Sequence, residues 1–271
     1  MISIEIGKNG RLGNQMFQYA SLMGIATKQN CLYGINYYNG NKIPWNEFTD
    51  DEEINKNTLV LPKAFQLSAL HCEEKYPVFN EGYTNFHFVQ DFFNTGDNVH
   101  LHGYFQTEKY FKHIESTVRA EFTFRPEIIN AAKAYLKDKQ EYETVVIHVR
   151  RGDYLKFKHH GACNVSYYIN ALKHFMDKSY NFIIVTDDIE WAKSTFSGSD
   201  NFFISESRNQ FIDMCIITLC DHCIIANSTF SWWGAWLNQS STKKVIAPSR
   251  WFGPDVPLNT KDLYIPSWIL L

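Results

Sequence analysis

The chain has 271 residues, 45% hydrophobic and 20% charged, a composition that excludes a disordered or fibrous protein and suits one large or two modest domains. A formal net charge of -3 argues against general attraction to nucleic acid, so any anionic ligand must be held by a local concentration of positive charge. Aromatic residues reach 16%, with 21 Phe and 15 Tyr, enough to supply sugar or nucleotide surfaces as well as core packing.

Residues 2–6 read as a strand, and residues 7–14 form a glycine-bearing turn. Residues 15–29 carry helical apolar spacing through Met16, Tyr19, Ala20, Met23 and Ala26. A strand, a glycine turn and a helix can bring backbone amides to a ligand, although the same glycines also serve tight packing. From 36 to 95 the pattern is irregular and includes Asp50, Asp51, Glu52 and Glu53, expected to be a solvated loop. Strand character returns at 99–105, where His100 and His102 share a face without a third ligand. A short helix follows through Tyr110 and Phe111. Residues 131–141, Lys-rich and helical, read with Arg125 and Pro126 before them as the connection between domains at 1–130 and 131–271. The final segment is expected either within the second domain or packed back on the first.

The second half alternates strand and helix more cleanly. Strand 144–149 precedes a helix from about Val165, and strand 181–185 precedes a helix from Ile189. A short strand at 202–204, a helix at 209–219, a strand at 222–226, an aromatic helix at 232–238 and a strand at 244–247 complete the series. In a parallel sheet the strand ends emerge along one edge, which here gathers Arg150, Arg151 and Asp153, then Thr186, Asp187 and Asp188, then Asn227, Ser228, Thr229 and Ser231. Two guanidinium forks and a helix N-terminus suit a phosphate or diphosphate. Plain helix caps at Asp187 or Asp188, and at Ser228, Thr229 or Ser231, are the simpler alternative for those residues. The six cysteines follow no disulfide framework, and Cys220 and Cys223 read as buried thiols. Without a visible leader or spanning segment, the protein is expected in the cytoplasm. Asn164, Asn227 and Asn238 each begin a glycosylation sequon.

Three segments together, 10–19 (Gly-Arg-Leu-Gly-Asn-Gln-Met-Phe-Gln-Tyr), 148–154 (His-Val-Arg-Arg-Gly-Asp-Tyr) and 227–234 (Asn-Ser-Thr-Phe-Ser-Trp-Trp-Gly), resemble the bacterial α-1,2-fucosyltransferases. Residues 103–111 are similar to that family as well, and the segments keep the family's order over most of the chain. The resemblance implies an α/β, GT-B-like fold with two Rossmann-type domains facing a cleft. It also implies transfer of L-fucose from GDP-β-L-fucose to the 2-hydroxyl of a terminal galactose, with inversion. Carried over by position, Arg150 holds the diphosphate, with Arg151, His148 and Asp153 around it. Asp187 faces guanine, and Asn227, Ser228, Thr229, Phe230 and Ser231 lie at the phosphates or ribose. Arg11, Gly13, Asn14 and Gln15 enter the cleft from the first domain. No motif fixes a general base. Asp153 and His148 are candidates, and the position where some relatives have an acidic residue holds Lys156, Phe157 and Lys158. The expected partners are GDP-fucose and a galactose-terminated oligosaccharide or glycolipid, with at most peripheral membrane contact and no metal or other cofactor. A catalytically silent nucleotide-sugar or glycan-binding protein and a transferase for another GDP-sugar are the alternatives.

Overall fold

The computed structural model describes residues 1–7, 9–37, 59–82, 86–156, 159–256 and 258–271. The acidic cluster at 50–53, Phe157 and Lys158 lie outside the described residues. The chain divides into two units, Met1–Arg125 with Leu258–Ile265, and Pro126–Pro257 with Pro266–Leu271.

In the first unit, β1 (Ile2–Ile6) leads through Gly10 into α1 (Leu12–Lys28). Gly10 turns the chain at φ +90, a conformation that strains any residue carrying a Cβ. The helix begins at Leu12 rather than Gln15, because Arg11 takes the extended N-cap position immediately after that turn. β2 (Tyr33–Tyr37), α2 (Leu61–Ala64), β3 (Leu70–His71), β4 (Val78–Asn80), β5 (Val99–His102) and α3 (Glu115–Glu121) follow. The strands form a parallel sheet in the order β3-β2-β1-β5-β4. The strand expected to run to residue 105 stops at His102. Beyond it the chain turns, and Phe105 sits in the left-handed region at φ 53, which no strand residue adopts.

The second unit starts with α4 (Pro126–Leu136), whose Ile128, Ala132 and Leu136 are buried at helical spacing. The helix expected at 131–141 therefore begins earlier, at Pro126, and ends at Leu136. Its proline start is explained by the N-terminal turn of a helix, where the missing N–H costs nothing. Next come β6 (Glu143–Val149), α5 (Val165–Leu172), β7 (Tyr180–Thr186), α6 (Ile189–Thr195), β8 (Phe202–Ile204), α7 (Gln210–Leu219), β9 (His222–Ile224), α8 (Thr229–Leu237), β10 (Val245–Ala247) and β11 (Ile269–Leu270). These strands form a second parallel sheet, ordered β11-β10-β9-β6-β7-β8. β6 and β7 pair over their whole length and are buried on both faces, as their β-branched runs require. Burial of Cys220 and Cys223 pushes both thiols up, Cys223 to about 12. Among the described residues no helix is long and apolar enough to cross a membrane.

Candidate functional site

The second sheet reverses its direction of growth at β6. From that strand the chain adds β7 and β8 on one side, then β9, β10 and β11 on the other. Ligands of open parallel sheets bind beyond the carboxyl ends of the strands at such a reversal. Here that edge is made by the residues after β6, β7 and β9.

Arg150 follows β6 directly. Its Nη1 lies 2.9 Å from Asp187 Oδ2, and its Nη2 donates to Asp153 Oδ1. The guanidinium also stands 5.3 Å from the centre of the Tyr154 ring. The Arg151 side chain takes another direction, with Nε donating to Asp188 Oδ2 at 3.0 Å and the guanidinium lying 4.2 Å above Trp191. The backbone N–H of Arg151 donates to Asp187 Oδ1 at 2.8 Å. Gly152 is required by this packing, since a Cβ there would come within 2.6 Å of Asp187 Oδ2. Asp187 was expected at guanine. Both of its oxygens lie on the Arg150–Arg151 segment, where it ties β7 to the residues after β6. Asp188 caps α6 by accepting from the Trp191 N–H at 3.1 Å.

Of the residues expected at the phosphates or ribose, several turn inward. The Asn227 side chain donates to the carbonyls of His160, Gly161 and Trp251 at 2.7, 3.1 and 2.8 Å, which pins the loop before α5. Ser228 caps α8, accepting from the Phe230 N–H at 3.4 Å. Ser231 is fully buried, with its hydroxyl 2.8 Å from His148 Nδ1 and 3.3 Å from the Ala226 and Ser228 carbonyls. His148 is 5% exposed, and burial, aided by the Arg150 charge, pushes it down to about 3. A ring held neutral in this way is a weak proton acceptor, and its contact with Ser231 joins the end of β6 to the start of α8. Thr229 and Phe230 remain half-buried at the first turn of α8, where backbone N–H groups lack intrahelical partners. Tyr154 joins the first and third strand ends. Its hydroxyl donates to the Asn227 carbonyl at 3.2 Å and its ring stacks on His160 at 4.3 Å.

The expected residues of the first unit also divide. Gln15 is buried; its amide donates to the Gly10 carbonyl at 3.3 Å and accepts from the Val60 N–H at 2.9 Å. Gly13 is buried with it, whereas Arg11 is exposed and Asn14 half-buried. Asn14 accepts from the Gln106 side chain at 3.1 Å. Gln106 is carried by the turn at Phe105, and Glu81 fixes that turn by accepting from the Tyr104 and Phe105 N–H groups, both at 2.8 Å. Sequence reasoning missed Glu81, Tyr154 and Trp191 as site-building residues. Tyr154 lay inside a recognised segment, whereas an isolated glutamate after a three-residue strand carries no pattern.

The family model described as Glycosyl transferase family 11 matches residues 2–271. The Escherichia coli alpha-1,2-colitosyltransferase is 30% identical over 280 residues, covering 96% of this chain and 96% of that protein. The mouse galactoside 2-alpha-L-fucosyltransferase Sec1 is 24% identical over 290 residues, 99% of this chain and 73% of the relative. Among solved structures, NodZ alpha-1,6-fucosyltransferase soaked with GDP-fucose aligns with a TM-score of 0.56 at 13% identity, over 87% of this chain and 92% of that one. The likeness identifies the fold as α/β and GT-B-like.

Proposed function

We propose that this chain, which belongs to glycosyl transferase family 11, moves L-fucose from GDP-β-L-fucose to the 2-hydroxyl of a terminal galactose with inversion. The observation that carries the reading is Arg150, held as a fork at the sheet reversal among residues at the strand ends that also lead into α8. A guanidinium and the positive end of a helix dipole together form a fixed positive field for a diphosphate. In the reaction the acceptor oxygen forms a bond to the anomeric carbon as the bond to the β-phosphate oxygen breaks, and the hydroxyl proton is released to water. The electron pair leaves with GDP, so negative charge grows on the diphosphate. Arg150 and the α8 amides gain most in that transition state, which is where they accelerate the step. Asp187 keeps Arg150 from swinging away. Asp187 and Asp188 are both engaged by guanidinium groups, which supports a reaction without a divalent cation.

A second reading, colitose transfer to the same kind of acceptor, is favoured by the Escherichia coli relative that matches along nearly its whole length. We place the enzyme in the cytoplasm, in keeping with cysteines that form no disulfide among the described residues. Incubation with lactose and either GDP-fucose or the corresponding colitose donor, with NMR of the product, tests both readings. An α-1,2-fucosyl product is expected. Efficient use of the colitose donor alone would move the assignment to the second reading, and nucleotide binding without transfer from either donor would make the chain a silent binding protein.

A further inference from the structure

We propose that Trp191 is a positioning residue for the diphosphate. With Asp188 it holds the Arg151 guanidinium in one plane, so that a second fork stands ready for an anionic group. The inference rests on the donor reading above and deepens it by naming what fixes that fork.

The two adjacent arginines are engaged differently. Both terminal nitrogens of Arg150 already meet carboxylates, Nη1 at Asp187 and Nη2 at Asp153. Arg151 commits only Nε to a carboxylate, at Asp188 Oδ2, and among the described residues its Nη1 and Nη2 donate to no protein group. The Nη1–Nη2 edge can therefore give two parallel hydrogen bonds to one phosphate. The side chain is 20% exposed, so a ligand can reach it. A single bond at Nε would let the guanidinium turn about the line to Asp188. The Trp191 ring stops that turning, because the cation lies over its face at 4.2 Å and would lose the contact on tilting. Both supports are themselves held. The other oxygen of Asp188 accepts from the Trp191 N–H at 3.1 Å, which caps α6. The Trp191 ring packs against the core of the second unit, its centre 6.2 Å from that of Tyr168 and 6.0 Å from that of Phe196. Asp188 and Trp191 thus form one cradle at the start of α6. An arginine fixed in this way gives up little rotamer freedom when phosphate arrives, which raises affinity without a new contact. Trp191 acts through Arg151, not by touching the ligand.

The test is calorimetric titration of inorganic pyrophosphate and of GDP into the full chain at one fixed ionic strength. The proteins are wild type, Trp191→Leu, Trp191→Phe, Arg151→Met and the double variant carrying Trp191→Leu and Arg151→Met. Trp191→Leu should bind pyrophosphate roughly fivefold more weakly, the order of one cation–ring contact. Trp191→Phe keeps a ring face and should retain most of the affinity. Arg151→Met should lose at least as much as Trp191→Leu. Adding Trp191→Leu to Arg151→Met should then weaken binding no further, a coupling that a merely structural tryptophan would not show. Melting curves establish that each variant is folded, and Trp191→Met, which fills similar space without a ring, replaces Trp191→Leu if the latter is not. Wild-type pyrophosphate affinity in the folded ringless variant or in Arg151→Met overturns the positioning role and leaves the donor reading standing. An equal loss from Trp191→Leu with and without Arg151 does the same. No binding of either ligand by wild type overturns the donor reading and the positioning role together.

Discussion

Replacing Glu81 with glutamine should change how stability depends on pH. Glu81 is 4% exposed, and burial pushes its carboxyl up to about 7, against the opposing pull of the Phe105 and Tyr104 N–H groups. In the unfolded chain the same group ionises near its ordinary value of 4.5. Between these values the folded protein keeps a proton that the unfolded chain releases, so stability falls as pH rises through the window and levels off above it. The shift corresponds to about 3 kcal/mol at most. Glutamine is neutral throughout, and its carbonyl can accept from the same two amides. The stability gap should therefore move towards Glu81→Gln by up to about 3 kcal/mol between roughly pH 5 and pH 8. Urea unfolding gives the global value, and hydrogen exchange of residues 99–106 reads the first unit if it opens separately. A gap that stays constant over this range, or moves towards wild type at the higher pH, would refute the reasoning.

Arg150→Lys retains the charge but loses the fork, and turnover should drop at least tenfold, about 1.4 kcal/mol or more of transition-state stabilisation. Near-normal kcat in the folded variant would remove Arg150 from the chemistry. Activity should survive EDTA, whereas loss restored by magnesium or manganese would show that the guanidiniums and helix N-terminus are not sufficient. If the chain is expressed through a secretory route, mass spectrometry should find glycan at exposed Asn164 and none at Asn227 or Asn238, whose amides are buried and bonded to backbone carbonyls. An active form glycosylated on Asn227 would contradict the loop geometry described for it.

Much of the second sheet is legible because local signals agree. The β-branched run at β6 and the asparagine or aspartate caps at Asn164, Asp188 and Asn209 mark element boundaries within a residue or so. The gathering of three polar strand ends follows from the same reading. Their internal pairing does not. Whether Asp187 faces a base or an arginine depends on the β6–β7 register, which sets Val149 beside Thr186 and so brings Asp187 to the Arg151 N–H. No local pattern carries that register. His148 and Ser231 likewise appear as available polar groups until the packing of α8 against the sheet closes over them. In the first unit, Glu81 acts on residues more than twenty positions away, beyond the reach of periodicity or capping rules.

Neither unit is a continuous stretch of chain. Residues 258–265 complete the first unit, where Asp262 accepts from the Phe88 N–H at 3.0 Å and from the Lys109 ammonium at 2.6 Å. The chain then returns to the second, and β11 covers the open side of β10, with the Leu271 N–H donating to the Ala247 carbonyl at 3.0 Å. A cut after Arg125 would therefore not yield two self-sufficient fragments. The first would lack the carboxylate that fixes Phe88 and Lys109, and the second would carry an orphaned piece of its neighbour. During synthesis the first unit must wait for residues 258–265 and the second for residues 266–271 before their last contacts can form, so neither is complete until these late segments have been made.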